Sequence, residues 1–202
     1  RNGIPSSAEA VVGTFTSVNA AGRSFQTAWP GGQQMPVASV LNSIDGQVRP
    51  NLSAVAVGSG QQWDLYNYTA STDLIFDAVG YFTAAAGSGG DITAVPSAVA
   101  FGPTTFGAND DRLVTVTNRG GVPASGVSAV WVLLTSTNGS TRSYLTAYPN
   151  GQSRPVASNL NWVAGQSAAN LALVPVGANG AIRVYNANGS ANVTVTLLGW
   201  VN

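Results

Sequence analysis

The chain has 202 residues, a formal net charge of zero and only 8% charged residues, while its 45% hydrophobic residues are enough to form a globular core. Cys, His and Lys are absent, which excludes thiolate and Schiff-base chemistry, the commonest general base and most transition-metal ligand sets. The eight basic residues are scattered arginines, and no apolar run approaches membrane-spanning length. We therefore expect a non-enzymatic protein without a cofactor that binds no nucleic acid and does not insert into a membrane.

Short runs of β-branched and aromatic residues, separated by Gly, Pro and Asn, predict strands throughout the first half of the chain. The expected strands are residues 9–18, 24–29, 37–42, 53–57, 62–68 and 74–82. Turn signals such as Pro30-Gly31-Gly32 and Asp45-Gly46 separate them. No apolar period of 3.6 residues persists beyond a turn or two, so no helix is predicted.

Small residues at 83–90 have the composition of a flexible linker, and strands follow again behind it. Two expected strands, 91–102 and 112–117, are joined by the polar turn at 106–111. Further strands are predicted at 127–135, 143–148, 156–161, 171–176, 181–186 and 192–201. Four Asn-Gly pairs favour type I′ hairpin turns and therefore antiparallel pairing. The expected organisation is a first module at 1–84, a linker at 85–90 and a second module at 91–202.

Residues 23–81 occur twice in this chain. A shift of 119 positions places them on residues 142–200 without a gap, and 24 of the 59 aligned residues are identical. An ungapped match of this length indicates two copies of one folded unit. The strands at 91–102 and 112–117 have no counterpart before the first copy. We therefore predict an all-β protein of two tandem antiparallel β-sandwich modules, Ig-like or jelly-roll-like, of which the first lacks its leading strands.

A sandwich without its leading strands exposes sheet edges that can pair with another chain. The alternating strand at 112–117, with Leu113, Val114 and Val116, is the candidate inter-subunit strand. Its addition to the first module of a neighbour would build a homo-oligomer or polymer by head-to-tail contacts. The sequence therefore predicts a structural subunit of a fibre, sheath or array.

Several motifs resemble a repeat of secreted and cell-surface proteins of actinobacteria and related bacteria. They include Gly-Val-Pro at 121–123, Ala-Ser-Asn-Leu-Asn at 157–161, Gly-Gln at 165–166 and Asn-Leu at 170–171. In that repeat the pattern usually ends in Gly-Tyr-Phe, as at 80–82, and the second copy departs to Gly-Trp-Val at 199–201. The resemblance implies an extracellular β-module on the cell surface, without catalytic residues.

Three carboxylates, Asp64, Asp73 and Asp77, are close in sequence and could in principle bind a metal or act as an acid–base pair. The second copy has Arg183, Asn192 and Thr196 in their places, and no calcium-loop spacing is present. Solvated strand or loop charges are the favoured interpretation, and neither a catalytic nor a metal residue is assigned.

Exposed aromatic residues offer an alternative function, in which the chain binds carbohydrate or cell-wall polysaccharide. Trp131 and Trp162 are the candidates for sugar stacking, because other Trp positions have aromatic or apolar partners in the opposite copy. N-glycosylation patterns are also present, although a chain rich in Asn, Ser and Thr contains such patterns by chance. The candidate acceptors are Asn51, Asn67, Asn138, Asn188 and Asn192.

Overall fold

A computed structural model describes residues 3–83 and 90–202. The chain divides into two compact units, Arg1–Gly87 and Ser88–Asn202, called unit 1 and unit 2 below. Both units are built from antiparallel sheets, so the protein is all-β, as predicted. The regular helical structure of the described residues is limited to two short 3-10 turns, Ser59–Gln61 and Ala178–Gly180. Within the described residues, no helix is long and apolar enough to cross a membrane.

Unit 1 is a sandwich of two three-stranded sheets. Its strands are β1 (Ala10–Val18), β2 (Ser24–Pro30), β3 (Leu41–Ser43), β4 (Arg49–Ala56), β5 (Trp63–Asn67) and β6 (Asp73–Phe82). One sheet has the order β4-β1-β6 and the other has the order β3-β2-β5. Only β2 and β3 are paired as consecutive strands, whereas β1 pairs with β4 and β6, and β2 also pairs with β5.

Unit 2 repeats this plan with one additional strand in each sheet. Its strands are β7 (Ile92–Phe106), β8 (Asp111–Thr115), β9 (Ala129–Thr137), β10 (Ser143–Pro149), β11 (Leu160–Trp162), β12 (Ala168–Pro175), β13 (Ala181–Asn186) and β14 (Ala191–Val201). The sheet orders are β12-β9-β14-β7 and β11-β10-β13-β8. We call β7 and β8 the leading strands. They extend one sheet beyond β14 and the other beyond β13.

The sequence repeat corresponds to a repeat of strand topology. The strands β1 to β6 match β9 to β14 in order and in sheet position. Even an irregularity is repeated, since the pairing of β1 with β6 and that of β9 with β14 each slip by one residue, at Val79 and Leu198 respectively. Such a bulge bends a strand and increases its twist. The two units therefore share one backbone plan, and the leading strands belong to unit 2 alone among the described residues.

The two cores differ in size. In unit 2 a single cluster of twenty buried apolar residues fills the space between the sheets, with Phe106, Leu134, Leu145 and Ile182 among its largest members. The corresponding cluster of unit 1 has four buried residues, Phe15, Ala28, Leu41 and Val55. Burial of apolar area is the main favourable term in folding. Unit 2 therefore has the larger source of stability.

Two predicted strands are shorter in the structure than expected. The strands predicted at 37–42 and 156–161 are reduced to β3 and β11, of three residues each. Val37 and Val156, which would have belonged to them, are fully exposed. A Pro precedes each valine, and it cannot donate a hydrogen bond to a neighbouring strand. Of the predicted linker at 85–90, residues 85–89 lie outside the described residues.

Candidate functional site: the open edges of unit 1

Two strands of unit 1 lie at sheet edges that are covered in unit 2. Among the described residues, β5 has only β2 as a hydrogen-bonded neighbour, and β6 has only β1. Their counterparts β13 and β14 each have a strand on both sides, because β8 pairs with β13 and β7 pairs with β14. We call β5 and β6 together the open edges. An unpaired edge presents backbone N–H and C=O groups to an incoming strand.

The open edges expose side chains that the repeat buries elsewhere. Leu65 on β5 is 56% exposed, whereas Val184, at the equivalent position of β13, is 0% exposed. Ala78 on β6 is likewise exposed, while its counterpart Leu197 is completely buried. Since the backbone plan is the same, the difference comes from the covering strand. Leu65 and Ala78 thus lie at positions that are part of the core in unit 2 but are exposed to solvent in unit 1.

A cleft of about 390 Å³ lies behind the open edges, lined by residues of both sheets of unit 1. Its apolar lining includes Ile4, Val11, Val57, Trp63 and Phe76. The equivalent residues in unit 2 are valines and one isoleucine, several of which belong to the large buried cluster. The cleft therefore marks a volume of core that the described residues of unit 1 do not fill.

In unit 2 this volume is filled by the leading strands. Val114 and Val116 are 1% and 0% exposed and belong to the same buried cluster as Ile182. The Val116 amide donates a hydrogen bond of 3.0 Å to the carbonyl of Gly180. The counterpart of Gly180 is Gln61, which lines the cleft in unit 1. This correspondence places the cleft where a Val116-like side chain would sit.

Aromatic residues partly compensate for the missing strands in unit 1. Phe15, Trp63 and Phe76 contact one another, with ring centroids 4.6 to 5.9 Å apart. Their counterparts in unit 2 are the smaller Leu134, Ile182 and Val195. Aromatic pairs of this kind contribute beyond their buried area. The triad holds the two sheets together, and Trp63 and Phe76 still line the cleft.

A polar connection that fixes β8 in unit 2 is absent from unit 1. Arg183 on β13 donates to the carboxylate of Asp111 at 3.0 Å and to its backbone carbonyl at 2.9 Å, and the Tyr148 hydroxyl donates to the same carboxylate at 2.5 Å. Burial raises the pKa of Tyr148, and the hydrogen bond to Asp111 raises it further. Hydrogen bonding to Asp111 also raises the pKa of Arg183. Unit 1 has Asp64 and Trp29 in the places of Arg183 and Tyr148.

The candidate inter-subunit strand is engaged inside its own unit. Leu113 and Val114 pair with Arg183 and Ile182 of β13, and Val114 and Val116 point into the core of unit 2. Leu113 is 48% exposed. To complete a neighbour, this segment would have to leave β13 and uncover unit 2. The strand predicted to pair with a neighbour is thus already paired with β13 of its own unit.

The two candidate sugar-stacking residues do not form a platform in the structure. Trp162 is 3% exposed and belongs to the core of unit 2, and Trp131 is half-buried on β9. A different aromatic group is accessible on unit 1, where Tyr68 is 57% exposed and stacks on Phe25 at 4.8 Å. The repeat comparison could not find it, because Tyr68 has Ala187 as its counterpart and falls at the end of a predicted strand.

The three carboxylates of unit 1 do not form a common site. Asp64 lies on β5, whereas Asp73 and Asp77 lie on β6 in the other sheet. Asp64 accepts a hydrogen bond of 3.0 Å from the amide of Gly32, and Asp73 accepts one of 2.8 Å from the Asn19 side chain. No group of three acidic residues among residues 3–83 and 90–202 is arranged to hold a metal ion. All three carboxylates instead lie along the open edges.

The five candidate glycosylation sites differ in the availability of their side-chain amides. Asn138 and Asn188 are exposed in turns. The Asn51 and Asn67 amides already donate to the carbonyls of Val40 and Ala70. The Asn192 side chain accepts a hydrogen bond from Thr105.

No protein-family model matches this chain, and no curated protein and no solved structure is significantly similar to it. The resemblance to the surface-protein repeat therefore rests on the motifs quoted above.

Proposed function

We propose that this chain is a non-enzymatic, extracellular structural protein of the cell surface, a subunit of a fibre, sheath or array whose neighbours are joined by β-strand addition at unit 1. The observation that supports it best is the contrast between Leu65, 56% exposed, and Val184, 0% exposed, at equivalent positions. Strand addition supplies main-chain hydrogen bonds from the edge and side-chain specificity from the pockets behind it. Unit 1 offers both, in the open edges and the cleft.

The low charge of the chain is consistent with this role. Natural proteins protect free edges with Lys or other inward-pointing charges. The open edges carry Asp64, Asp73 and Asp77 but no Lys, and between these charges Leu65, Ile75, Val79 and Tyr81 are 39–56% exposed. The exposed apolar side chains support covering of these edges by a partner strand.

Hydrogen exchange can test the proposal by comparing native surface material with the purified chain. In the purified chain the amides of β5 that point away from β2, and those of β6 that point away from β1, should exchange rapidly, and in the native material they should be protected. Those of β13 and β14 should be protected in both samples and serve as the internal reference. Rapid exchange of β5 and β6 in the native material, or its appearance as isolated particles by electron microscopy, would overturn the proposal.

A matched pair of substitutions separates edge pairing from general stickiness. Leu65→Lys places a charge on the open edge without burying it, and Val37→Lys places the same charge on an exposed apolar residue outside any strand. We expect Leu65→Lys to abolish assembly and Val37→Lys to preserve it. Equal assembly of the two variants would contradict strand addition at β5.

Carbohydrate binding is the second candidate function, and the exposed Tyr68 stacked on Phe25 favours it. Aromatic faces are common sugar-contacting surfaces, and here they lie on unit 1 rather than at Trp131 or Trp162. Polysaccharide binding that is lost in Tyr68→Ala and retained in Trp131→Ala would support this function. Binding that is absent in the unsubstituted chain would exclude it.

A further inference from the structure

The repeat makes it possible to say what kind of segment fits the open edges. In unit 2 the equivalent strands are already covered, because β7 pairs with β14 and β8 pairs with β13. Transfer by 119 positions places Asp64 opposite a Leu113-like residue and Trp63 opposite a Val114-like residue. Where unit 1 and unit 2 differ at these contact positions, the strands that fit them should differ as well.

The number of strands argues against the leading strands of this chain as the occupant. The described residues contain one pair of leading strands and two acceptors. If β7 and β8 moved to unit 1 of a neighbour, the Val114 and Val116 positions of unit 2 would be uncovered, along with Phe106, which is 0% exposed. Each transfer would cover the edges of one unit 1 and uncover those of one unit 2, so the total buried apolar area would not increase.

Charge at the open edges points to a different partner. Asp64 takes the place of Arg183, which binds the Asp111 carboxylate in unit 2. An Asp111-like residue brought to unit 1 would face a carboxylate where unit 2 offers a guanidinium, and like charges across neighbouring strands are unfavourable. Asp64, Asp73 and Asp77 account for three of the five acidic residues between 3 and 83, and that stretch has only two arginines. The edges therefore favour a basic occupant.

The space available at the 3-10 turn also argues against the leading strands of this chain. In unit 2 the Thr117 hydroxyl and amide both donate to the carbonyl of Gly180. A Cβ added to Gly180 would overlap Thr117 Oγ1 and lie 3.0 Å from Thr117 Cβ. Unit 1 has Gln61 at this position, with the same left-handed backbone, φ 58° against 65°. A Thr117-like residue would therefore collide with the Gln61 Cβ, and only glycine, which has no Cβ of its own, would leave space for it.

We propose that the occupant of unit 1 is a two-strand segment of another subunit, similar to the leading strands but with Arg or Lys in place of Asp111 and Gly in place of Thr117. It keeps β-branched residues at the Val114 and Val116 positions, because these fill the cleft. This inference rests on the proposed strand addition and adds its specificity. Asp64 and Gln61 select the foreign segment and reject the leading strands of this chain.

Peptide binding to the whole 202-residue chain tests the inference. One fluorescent peptide has the sequence of residues 91–119, and the other has the same sequence with Asp111→Arg and Thr117→Gly. We expect the substituted peptide to bind at least about tenfold more tightly, with new amide protection confined to β5 and β6. In the double variant Gln61→Gly/Asp64→Arg the preference should reverse. Asp45→Arg, which changes the same charge in a turn away from the edges, should leave it unchanged.

The possible outcomes separate strand addition at unit 1 from its specificity for one kind of segment. Equal binding of both peptides at β5 and β6 would overturn the specificity and leave strand addition in place. Absence of binding by either peptide would overturn strand addition itself and the specificity with it. Protection at β13 and β14 instead would show exchange with the leading strands and would also overturn the assignment to unit 1.

Discussion

Unit 1 and unit 2 have the same strand order, the same bulge and 24 identities in 59 aligned residues, yet their interiors differ. The main cluster of buried apolar residues has twenty members in unit 2, and the corresponding cluster in unit 1 has four. The difference follows from two strands that lie at the margins of the sheets. In a two-layer sandwich, the outermost strands decide whether the middle is an interior or a groove.

Unit 1 differs from unit 2 in several residues near the positions that the leading strands cover in unit 2. Bulkier aromatic residues occupy the positions of Leu134, Ile182 and Val195, and Asp64 replaces an arginine that holds β8 in unit 2. A unit that had only lost two strands would keep side chains suited to the lost contacts. The replacements instead match the absence of β7-like and β8-like strands from residues 3–83, and four predictions test how far that contrast extends.

The largest effect is expected from Phe106→Ala. This side chain is completely buried in unit 2 and contacts Phe101 with ring centroids 5.8 Å apart. Its truncation should lower the free energy of unfolding of unit 2 by about 3–5 kcal/mol. Chemical denaturation should show the loss in the unit 2 transition only, and Phe82→Ala, at an exposed end of β6, is the control. A similar loss in both variants would mean that the leading strands are not integral to unit 2.

Truncation at the equivalent positions Val184 and Leu65 is the most direct comparison of the two units. Val184→Ala should cost about 2 kcal/mol, because buried methyl groups are lost and a cavity is left. Leu65→Ala removes more atoms but should cost less than about 1 kcal/mol, since the side chain is already solvated. Thermal unfolding of the two variants would measure this, and a larger loss for Leu65→Ala would show that β5 is covered in the purified chain.

Exchange of the charges at Arg183 and Asp64 gives a smaller effect. Arg183→Asp should destabilise unit 2 by about 1–2 kcal/mol, because it removes the hydrogen-bonded partner of Asp111 and sets two carboxylates side by side. Asp64→Arg should change unit 1 little in the absence of an occupant. Equal effects in the two units would show that the Arg183–Asp111 contact does not fix β8. Urea titration in low and high salt would check both values, and screening should reduce the first.

The smallest effect concerns acid. The Gly107 amide and the Arg112 guanidinium hold the pKa of Asp110 below its usual value. A carboxyl group whose pKa is lowered in the folded state stabilises the fold above its unfolded pKa, and that contribution disappears as pH falls through the folded pKa. Asp110→Asn should therefore make the unit 2 transition slightly less sensitive to pH below about 4. If the unit 1 transition shifts as well, the effect is not local to the turn between β7 and β8.

The sequence allowed the strand content and the duplication to be predicted, because both depend on short-range patterns and on an ungapped match. It also predicted that, within residues 1–202, strands like 91–102 and 112–117 precede the second copy and not the first. Their sheet positions required the structure, since a strand beside β14 is about ninety residues away from it in sequence. The burial of Trp162 was not predictable from the repeat, because its counterpart, Ser43, indicates nothing about the size of the pocket.

Prediction failed where side-chain volume or solvent access decided the outcome. Val37 and Val156 look like strand residues, yet both are exposed after a proline. The cleft in unit 1 could not be located from the missing strands alone, because the aromatic triad fills part of the same space. Gln61 became informative only when its counterpart Gly180 was seen in contact with Thr117.

The ends of unit 2 lie next to each other, and this has a mechanical consequence. Ile92 at the start of β7 pairs with Val201 at the end of β14, and the Asp91 amide donates to the Asn202 side chain. Tension applied through the main chain at these two ends would separate β7 from β14 one residue pair at a time, beginning at Ile92 and Val201. The resistance of unit 2 to such tension would therefore depend on hydrogen bonds between β7 and β14 that break in succession rather than all at once.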